Sequence, residues 1–337
     1  MVVTLPTTSS RRQTNCARHS SFILHEKGRQ HHWEGASALS IKSFYHGQAF
    51  YNVGTGCHAV NDDSYLVLNH GQPYSITIDA PQPLESFCIF FADGLAEEVY
   101  RGLVAKSTNL LDEPEMPRVE PVHFFERTYP HDEVLTPALL HLRAALPHRK
   151  DDRGWLMEKL HLILQRLLQV HQKTCKEVEA LPSLRPATRE ELYRRLHRTK
   201  DYAAALFDRP LTLEEMAQVA CLSPNHFLRT FKQAFAQTPH QFVIQLRLEH
   251  AKRLLAQTSR SVTEICATVG FESLGSFSWL FARRVGMSPE VYRRRKMQKA
   301  TSQEMLKATS QEMLKTTSQE MLKTTSQEML KTTSQER

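Results

Sequence analysis

The sequence predicts an α+β chain of two dissimilar halves: a β-barrel or sandwich first, then an all-α domain built from a duplicated pair of helices. Three observations carry this. Between Ser37 and Ala92 apolar residues fall in short β-rich runs broken by Gly, Asn, Asp and Pro. Between 188 and 298 helix-start signatures recur, and within that region one residue pattern returns at an offset of 49–50. A length of 337 residues is enough for two domains with full cores.

Composition narrows the class. Hydrophobic residues make up 41% and charged ones 23%, ordinary for a globular protein, and no run reaches the roughly 18–20 apolar residues of a membrane span. The opening MVVTLPTTSSRRQTNC has no apolar stretch or cleavage site of a secretory signal. Cys16, Cys57, Cys88, Cys175, Cys221 and Cys266 lie far apart, with no C-x-x-C pair. Reduced thiols and a cytoplasmic location are therefore expected, without membrane attachment, zinc or a disulfide framework. The net charge of +7 is unevenly placed: Lys+Arg against Asp+Glu is 19 to 21 in residues 1–188, 19 to 10 in 189–299 and 5 to 5 in 300–337. All of the basic excess sits in one segment, suited to phosphates or simply to solvent.

After an N-terminal arm (1–36), strands are expected in SALSIKSF, QAFYNVG, SYLVLNH, YSITIDA and SFCIFFA, with clear alternation over 74–79, giving a β domain over 37–130. His31, His32, Glu34, His58 and His70 offer an alternative reading as a metal site supporting oxygen chemistry. Their spacing is not H-x-H…E, however, and no phosphate loop, G-x-S-x-G elbow or H-E-x-x-H helix occurs, so neither catalytic residues nor a cofactor is assigned. A helical region (131–173) follows. Its segment 154–172 aligns Leu156, Leu160, Ile163, Leu164, Leu167 and His171 on one face, to pack on the β domain or, as favoured here, on a second subunit. The polar stretch 174–188, with Pro182 and Pro186, reads as a linker.

Helices are expected at 189–207, 212–220, 224–236, 239–256, 261–269, 274–285 and 289–297. Four capping boxes mark starts, Thr188/Glu191, Thr212/Glu215, Thr238/Gln241 and Ser261/Glu264, and Ser223-Pro224 and Ser288-Pro289 mark two more. Leu213, Met216, Ala217 and Ala220 recur as Val262, Ile265, Cys266 and Val269, and Phe227, Phe231, Pro239 and Phe242 recur as Phe277, Phe281, Pro289 and Tyr292. Each copy is a short helix, a turn and a second helix with an inward Phe pair. That is helix-turn-helix logic, in which a small residue, Ala217 or Cys266, lets the second helix pack closely and offer its outer face to a major groove. The units span about 212–236 and 261–285.

The outward face of 224–236 carries Asn225, Leu228, Arg229 and Lys232. Arginine suits guanine O6/N7, asparagine an adenine edge and lysine a phosphate. His226 either contacts nucleic acid or caps its helix. The face of 274–285 carries Leu274, Gly275, Ser278, Trp279, Arg283 and Arg284. Arg293, Arg294, Arg295 and Lys296 read either as a solvated helix end or as phosphate contacts.

On these residues, 189–299 resembles the DNA-binding domain of AraC/XylS-type bacterial transcription regulators. Gly270, Phe271, Phe277, Phe281, Gly286, Ser288, Pro289, Tyr292 and Arg293 stand in the family's G-F…F…F…G-x-S-P-x-x-Y-R order, and TPHQFVIQLRLEHAKRLL stands as its central helix. Trp279 and Ala282 replace an Arg and a Lys common in the family; Trp279 then meets a thymine methyl or sugar, or packs within the protein. The resemblance implies sequence-specific recognition of double-stranded DNA by a homodimeric regulator, an activator that contacts RNA polymerase, with a cupin-like N-terminal barrel taking a small-molecule effector. The alternative is a cupin-type metalloenzyme with an accessory DNA-binding domain. From Thr301 the octapeptide TSQEMLK(A/T) repeats to the end of the chain. A period of eight rotates each Met-Leu pair about 80° around a helix, so no apolar stripe forms, and 300–337 is expected to be a disordered tail.

Overall fold

In the computed structural model residues 20–54, 56–104, 121–149, 151–181 and 185–298, with Ser302, are described. Apart from Ser302, the octapeptide repeats lie outside them, as do residues 1–19 of the expected arm. The described residues form two compact units: one gathers residues up to Phe207 with Leu211–Val243, the other Asp208–Pro210 with residues from Ile244 onward. The first half of the helical region therefore belongs with the β domain rather than with the second half.

Seven strands build one antiparallel sheet in the first unit: β1 (Phe22–Ala36), β2 (Ser40–Tyr45), β3 (Gln48–Val53), β4 (Gly56–Asn61), β5 (Ser64–Leu68), β6 (Pro73–Phe90) and β7 (Thr128–Pro130). β6 is the spine. Its C-terminal half pairs with β2 and its N-terminal half with β3, while β1 pairs with both halves along the other side. The β1–β6 ladder breaks between Gly28/Leu84 and Gln30/Asp79, leaving residues 80–83 of β6 without partners on β1. Pro81 and Pro83 fall in this gap, where a missing N–H costs no ladder bond. The sheet folds over there, and β4 comes beside β5 and β7, so the sheet is nearly closed and barrel-like. Two expectations change. Residues 22–36 of the presumed arm are a strand, and the runs at 74–80 and 86–92 are joined in one strand that ends at Phe90. β4 is a further strand that the sequence runs omit.

The two faces of the sheet carry separate cores. Inside, Phe22, Trp33, Phe44, Tyr51, Tyr74 and Phe90 cluster with aliphatic residues. Outside, Ile41, Tyr65, Phe87 and Ile89 meet three helices, α1 (Leu95–Val104), α2 (Thr136–Ala145) and α3 (Arg153–Glu179). Leu156, Leu160, Ile163, Leu164 and Leu167 of α3 are all in this outer core. The stripe expected to meet a second subunit is thus buried in the chain's own core, with the sheet, α1 and α2. α3 runs to Glu179 and α4 (Pro186–Ala205) starts at Pro186, so the expected linker 174–188 is helical at both ends.

Glu85, on β6, holds the sheet to α2. Arg143 donates to both of its carboxylate oxygens and His25 hydrogen-bonds one of them at 2.8 Å. The Arg143 hydrogen bonds, outweighing burial, hold the Glu85 carboxyl down at about 2. A depressed carboxyl stabilises fully above its unfolded value, near 4.5, and loses that contribution as pH falls through about 2. Glu85→Gln is accordingly expected to lower stability by about 2 kcal/mol at pH 7. In urea titrations the gap to wild type should narrow below pH 4.5 and close near pH 2; a gap independent of pH would refute the assignment.

Candidate nucleic-acid interface

The helical region follows its local start signals closely. α5 (Leu213–Val219) begins where the Thr212 hydroxyl accepts from the Glu215 N–H at 3.1 Å. α6 (Pro224–Phe235) begins with Pro224 in its first turn behind Ser223. α7 (Pro239–Gln257) starts on a reciprocal Thr238/Gln241 box, and α8 (Val262–Thr268) on a reciprocal Ser261/Glu264 box. α9 (Leu274–Val285) is capped by Ser273 and ends on Gly286, and α10 covers 289–298. Thr188 and Glu191 make no box. Pro186 already opens α4, which places both residues inside the helix.

The duplicated turn is the same in both copies. Leu222 N–H donates to Ala217 O and Phe271 N–H to Cys266 O, each at 3.0 Å; Cys221 N–H donates to Gln218 O and Gly270 N–H to Ala267 O. Ala217 and Cys266 are buried where the helices close on one another. Phe227 and Phe231 of α6, and Phe277 and Phe281 of α9, are 0% exposed. Anchoring one side of each helix in this way fixes which side remains free.

On α6 the free side exposes Asn225, His226, Arg229 and Lys232, with Leu228 half-buried. On α9 it exposes Leu274, Gly275, Trp279, Arg283 and Arg284, with Ser278 half-buried. Trp279 is 58% exposed, and the Arg283 guanidinium lies 5.0 Å from its ring centroid, so the indole stands on the outer surface of the helix rather than inside the protein. Each set is gathered on its own helix. The α6 set belongs to the first unit and the α9 set to the second.

Residues 216–295 match the helix-turn-helix domain family. The melibiose operon regulatory protein of Escherichia coli K12 is 32% identical over 98 residues, 29% of this chain and 32% of that protein. The HTH-type transcriptional regulator Rv1931c of Mycobacterium tuberculosis is 40% identical over 80 residues, 24% of this chain and 31% of the relative. A transcriptional regulator from Chromobacterium violaceum, described as an AraC-type DNA-binding domain-containing protein, is 28% identical, with 30% of this chain and 91% of that one covered and a TM-score of 0.29. Residues 216–295 are a helix-turn-helix domain. The chain spans about a third of the length of the curated relatives it matches, so the helix-turn-helix assignment is one of domain, and it accounts for the Phe-anchored pairs.

Sequence reasoning missed what holds α4. α4 packs on β4 through a buried polar clamp. Asp201 accepts from His58 Nδ1 at 2.8 Å, from the Thr128 N–H at 3.0 Å and from the Thr128 hydroxyl. Beside it the Arg127 guanidinium donates to Thr174 Oγ1 at 3.2 Å and to His197 Nδ1 at 3.4 Å, and lies 4.4 Å from the Tyr129 ring centroid. Burial, followed by the Arg127 charge, pushes His197 well below the usual histidine range, which keeps it a neutral acceptor. His58 is thus a structural partner of Asp201. His31, His32 and Glu34 lie exposed along β1, and His70 pairs with Asp93 at 2.8 Å. Among the described residues no three His, Cys, Asp or Glu side chains form a metal-binding group. No described helix is long and apolar enough to cross a membrane.

Proposed function

We propose that this protein is a sequence-specific transcriptional regulator that places α6 and α9 in the major groove of double-stranded DNA. One observation carries the reading: within the only basic segment, a match to the helix-turn-helix domain family coincides with two Phe-anchored helices whose opposite sides are exposed and carry Arg, Lys and Asn. In this reading Arg229 and Asn225 read base edges, Lys232 and Arg284 contact phosphate, and Trp279, steadied by Arg283, meets a thymine methyl or deoxyribose. The N-terminal barrel, cupin-like in this proposal, senses a small effector; the protein acts in the cytoplasm as an activator that contacts RNA polymerase, and not as an enzyme. In this reading a homodimer uses a surface other than the α3 stripe, which lies in the chain's own core.

A gel-shift series on the chain's own upstream region tests this. Wild type should retard that DNA ahead of unrelated DNA, with an affinity that falls with salt. Arg229→Ala should cost about 1–3 kcal/mol and relax preference at one base position, whereas Lys232→Ala should weaken all sequences alike and reduce the salt slope by about one. Binding indifferent to sequence in wild type, or the same pattern from both variants, would defeat the assignment of roles.

A further inference from the structure

We propose that Arg195 and Tyr202 of α4 are positioning residues that set the angle at which α6 meets DNA, so that base discrimination by the first helix-turn-helix unit depends on two side chains bonded to the protein itself. This rests on the reading of α6 as a base-reading helix and names what aims it. The two residues are seven apart, two turns of helix, and so share one side of α4. Tyr202 Oη donates to Glu215 Oε1, in the first turn of α5, at 2.6 Å. Arg195 donates through Nε to Glu191 on its own helix at 2.6 Å, which steadies the guanidinium, and through Nη1 to Cys221 O at 3.3 Å. Cys221 is the left-handed residue of the turn, at φ +51°, two positions before Ser223, where α6 starts. The far end of α6 meets α4 as well, with Lys200 Nζ 4.5 Å from the Phe235 ring centroid.

Neither bond is needed to build such a unit, as the second copy shows. At the offset of 49 that aligns α5 with α8, Arg195 and Tyr202 become Ile244 and Ala251 of α7, whose side chains carry no hydrogen-bonding group. Glu215 becomes Glu264, whose carboxylate accepts from the Ser261 N–H at its own helix start at 2.7 Å. The second copy nonetheless forms the same turn, with the same two backbone bonds and the same buried Phe pair. What the two side chains add in the first copy is orientation: they tie α5 and the turn to α4, and α6 leaves from that turn. Arg229 is the sixth residue of α6, about 9 Å from its start. A tilt of about 10° at the turn displaces its backbone by about 1.5 Å, several times the spread of hydrogen-bond lengths, which breaks a bidentate pair with a base. A phosphate held by the flexible stem of Lys232 tolerates the same shift.

The test is a gel-shift series with the full chain on its own upstream region and on versions of that DNA with single base pairs changed. Arg229→Ala marks the base pair that α6 reads. In the double variant Arg195→Met with Tyr202→Phe, discrimination at that base pair should fall at least about fivefold. Discrimination at the base pairs that Arg229→Ala leaves intact, and the salt slope, should match wild type. Glu215→Gln keeps an oxygen for the Tyr202 hydroxyl and should discriminate as wild type does; the two single variants are read in the same way if the double variant fails to fold. Unchanged discrimination in the double variant, affinity that falls alike on every sequence, or a loss in Glu215→Gln as large as in the double variant overturns the proposal. The two readings fail differently. Wild-type binding indifferent to sequence, or an Arg229→Ala variant that marks no base pair, removes the reading of α6 itself, whereas a specific wild type beside an unaffected double variant removes only the role of Arg195 and Tyr202.

Discussion

Asp201→Ala is expected to destabilise the first compact unit by about 3–5 kcal/mol, because it strands three donors, and an unsatisfied buried donor costs about 1–3 kcal/mol. Asp201 is 3% exposed and His58 2%. Both carboxylate oxygens are engaged, one by His58 Nδ1 and the Thr128 N–H and the other by the Thr128 hydroxyl. Truncation leaves the imidazole nitrogen and the amide facing an apolar methyl, so their desolvation is no longer offset. Asp201→Asn retains one acceptor oxygen and the shape, and should lose only about 1–3 kcal/mol. Urea unfolding of the three proteins, followed by intrinsic fluorescence, measures the order directly. Equal midpoints for wild type and the alanine variant would mean that the clamp does not hold α4 to β4. Because Leu196 and Ala203 of α4 share a core with Met216, Ala217, Phe227 and Phe231, the loss should extend to the first helix-turn-helix unit. Its protection from proteolysis should fall together with that of the barrel.

The clamp shows where the sequence stops being legible. Helix starts are written within four residues, so Thr238/Gln241 and Ser261/Glu264 could be read directly, as could Phe pairs one turn apart. His58 and Asp201 are 143 positions apart; in the sequence one resembles a stray metal ligand and the other a surface carboxylate. β1 was missed because as an edge strand it is exposed from Lys27 to His32 and shows no alternation there. β6 read as two strands because prolines normally end one, and only the ladder gap opposite Arg29 makes Pro81 and Pro83 tolerable. The α3 stripe was legible as apolar, but not what covers it, since a periodic face says that it is buried and nothing about its partner. Lys42 is the converse case. A lysine between Ile41 and Ser43 reads as the outward position of an alternating strand, yet the outer face is roofed by helices and the lysine takes the inner one.

Gly270→Ala should cost about 3 kcal/mol, from two sources that the duplicated unit allows to be separated. Gly270 has φ +81°, and a Cβ there would lie 2.5 Å from the Asp208 carbonyl oxygen and 2.7 Å from its carbon. The left-handed conformation accounts for about 1–2 kcal/mol in any L-residue, and displacing a backbone carbonyl adds about 1–3. Gly286 has φ +83° with nothing within 4 Å of the added carbon, so Gly286→Ala should cost the first part alone, about 1 kcal/mol. The first copy fills the two equivalent places with Cys221 at φ +51° and Ala236 at φ +54°. There the reverse changes, Cys221→Gly and Ala236→Gly, should each raise stability by about 0.5–1 kcal/mol, the relieved strain exceeding the added freedom of the unfolded chain. Thermal melts of the four single variants give the test by sign and size: one large loss, one small loss and two gains. If Gly270→Ala and Gly286→Ala lose equally, the close approach of Asp208 is not what fixes the second turn. If Cys221→Gly destabilises, the first turn is held by its side chain rather than strained by it. Since each turn sets the direction in which its outer helix leaves, the ordering of these four melts should reappear in the gel-shift affinities, with Gly270→Ala weakest.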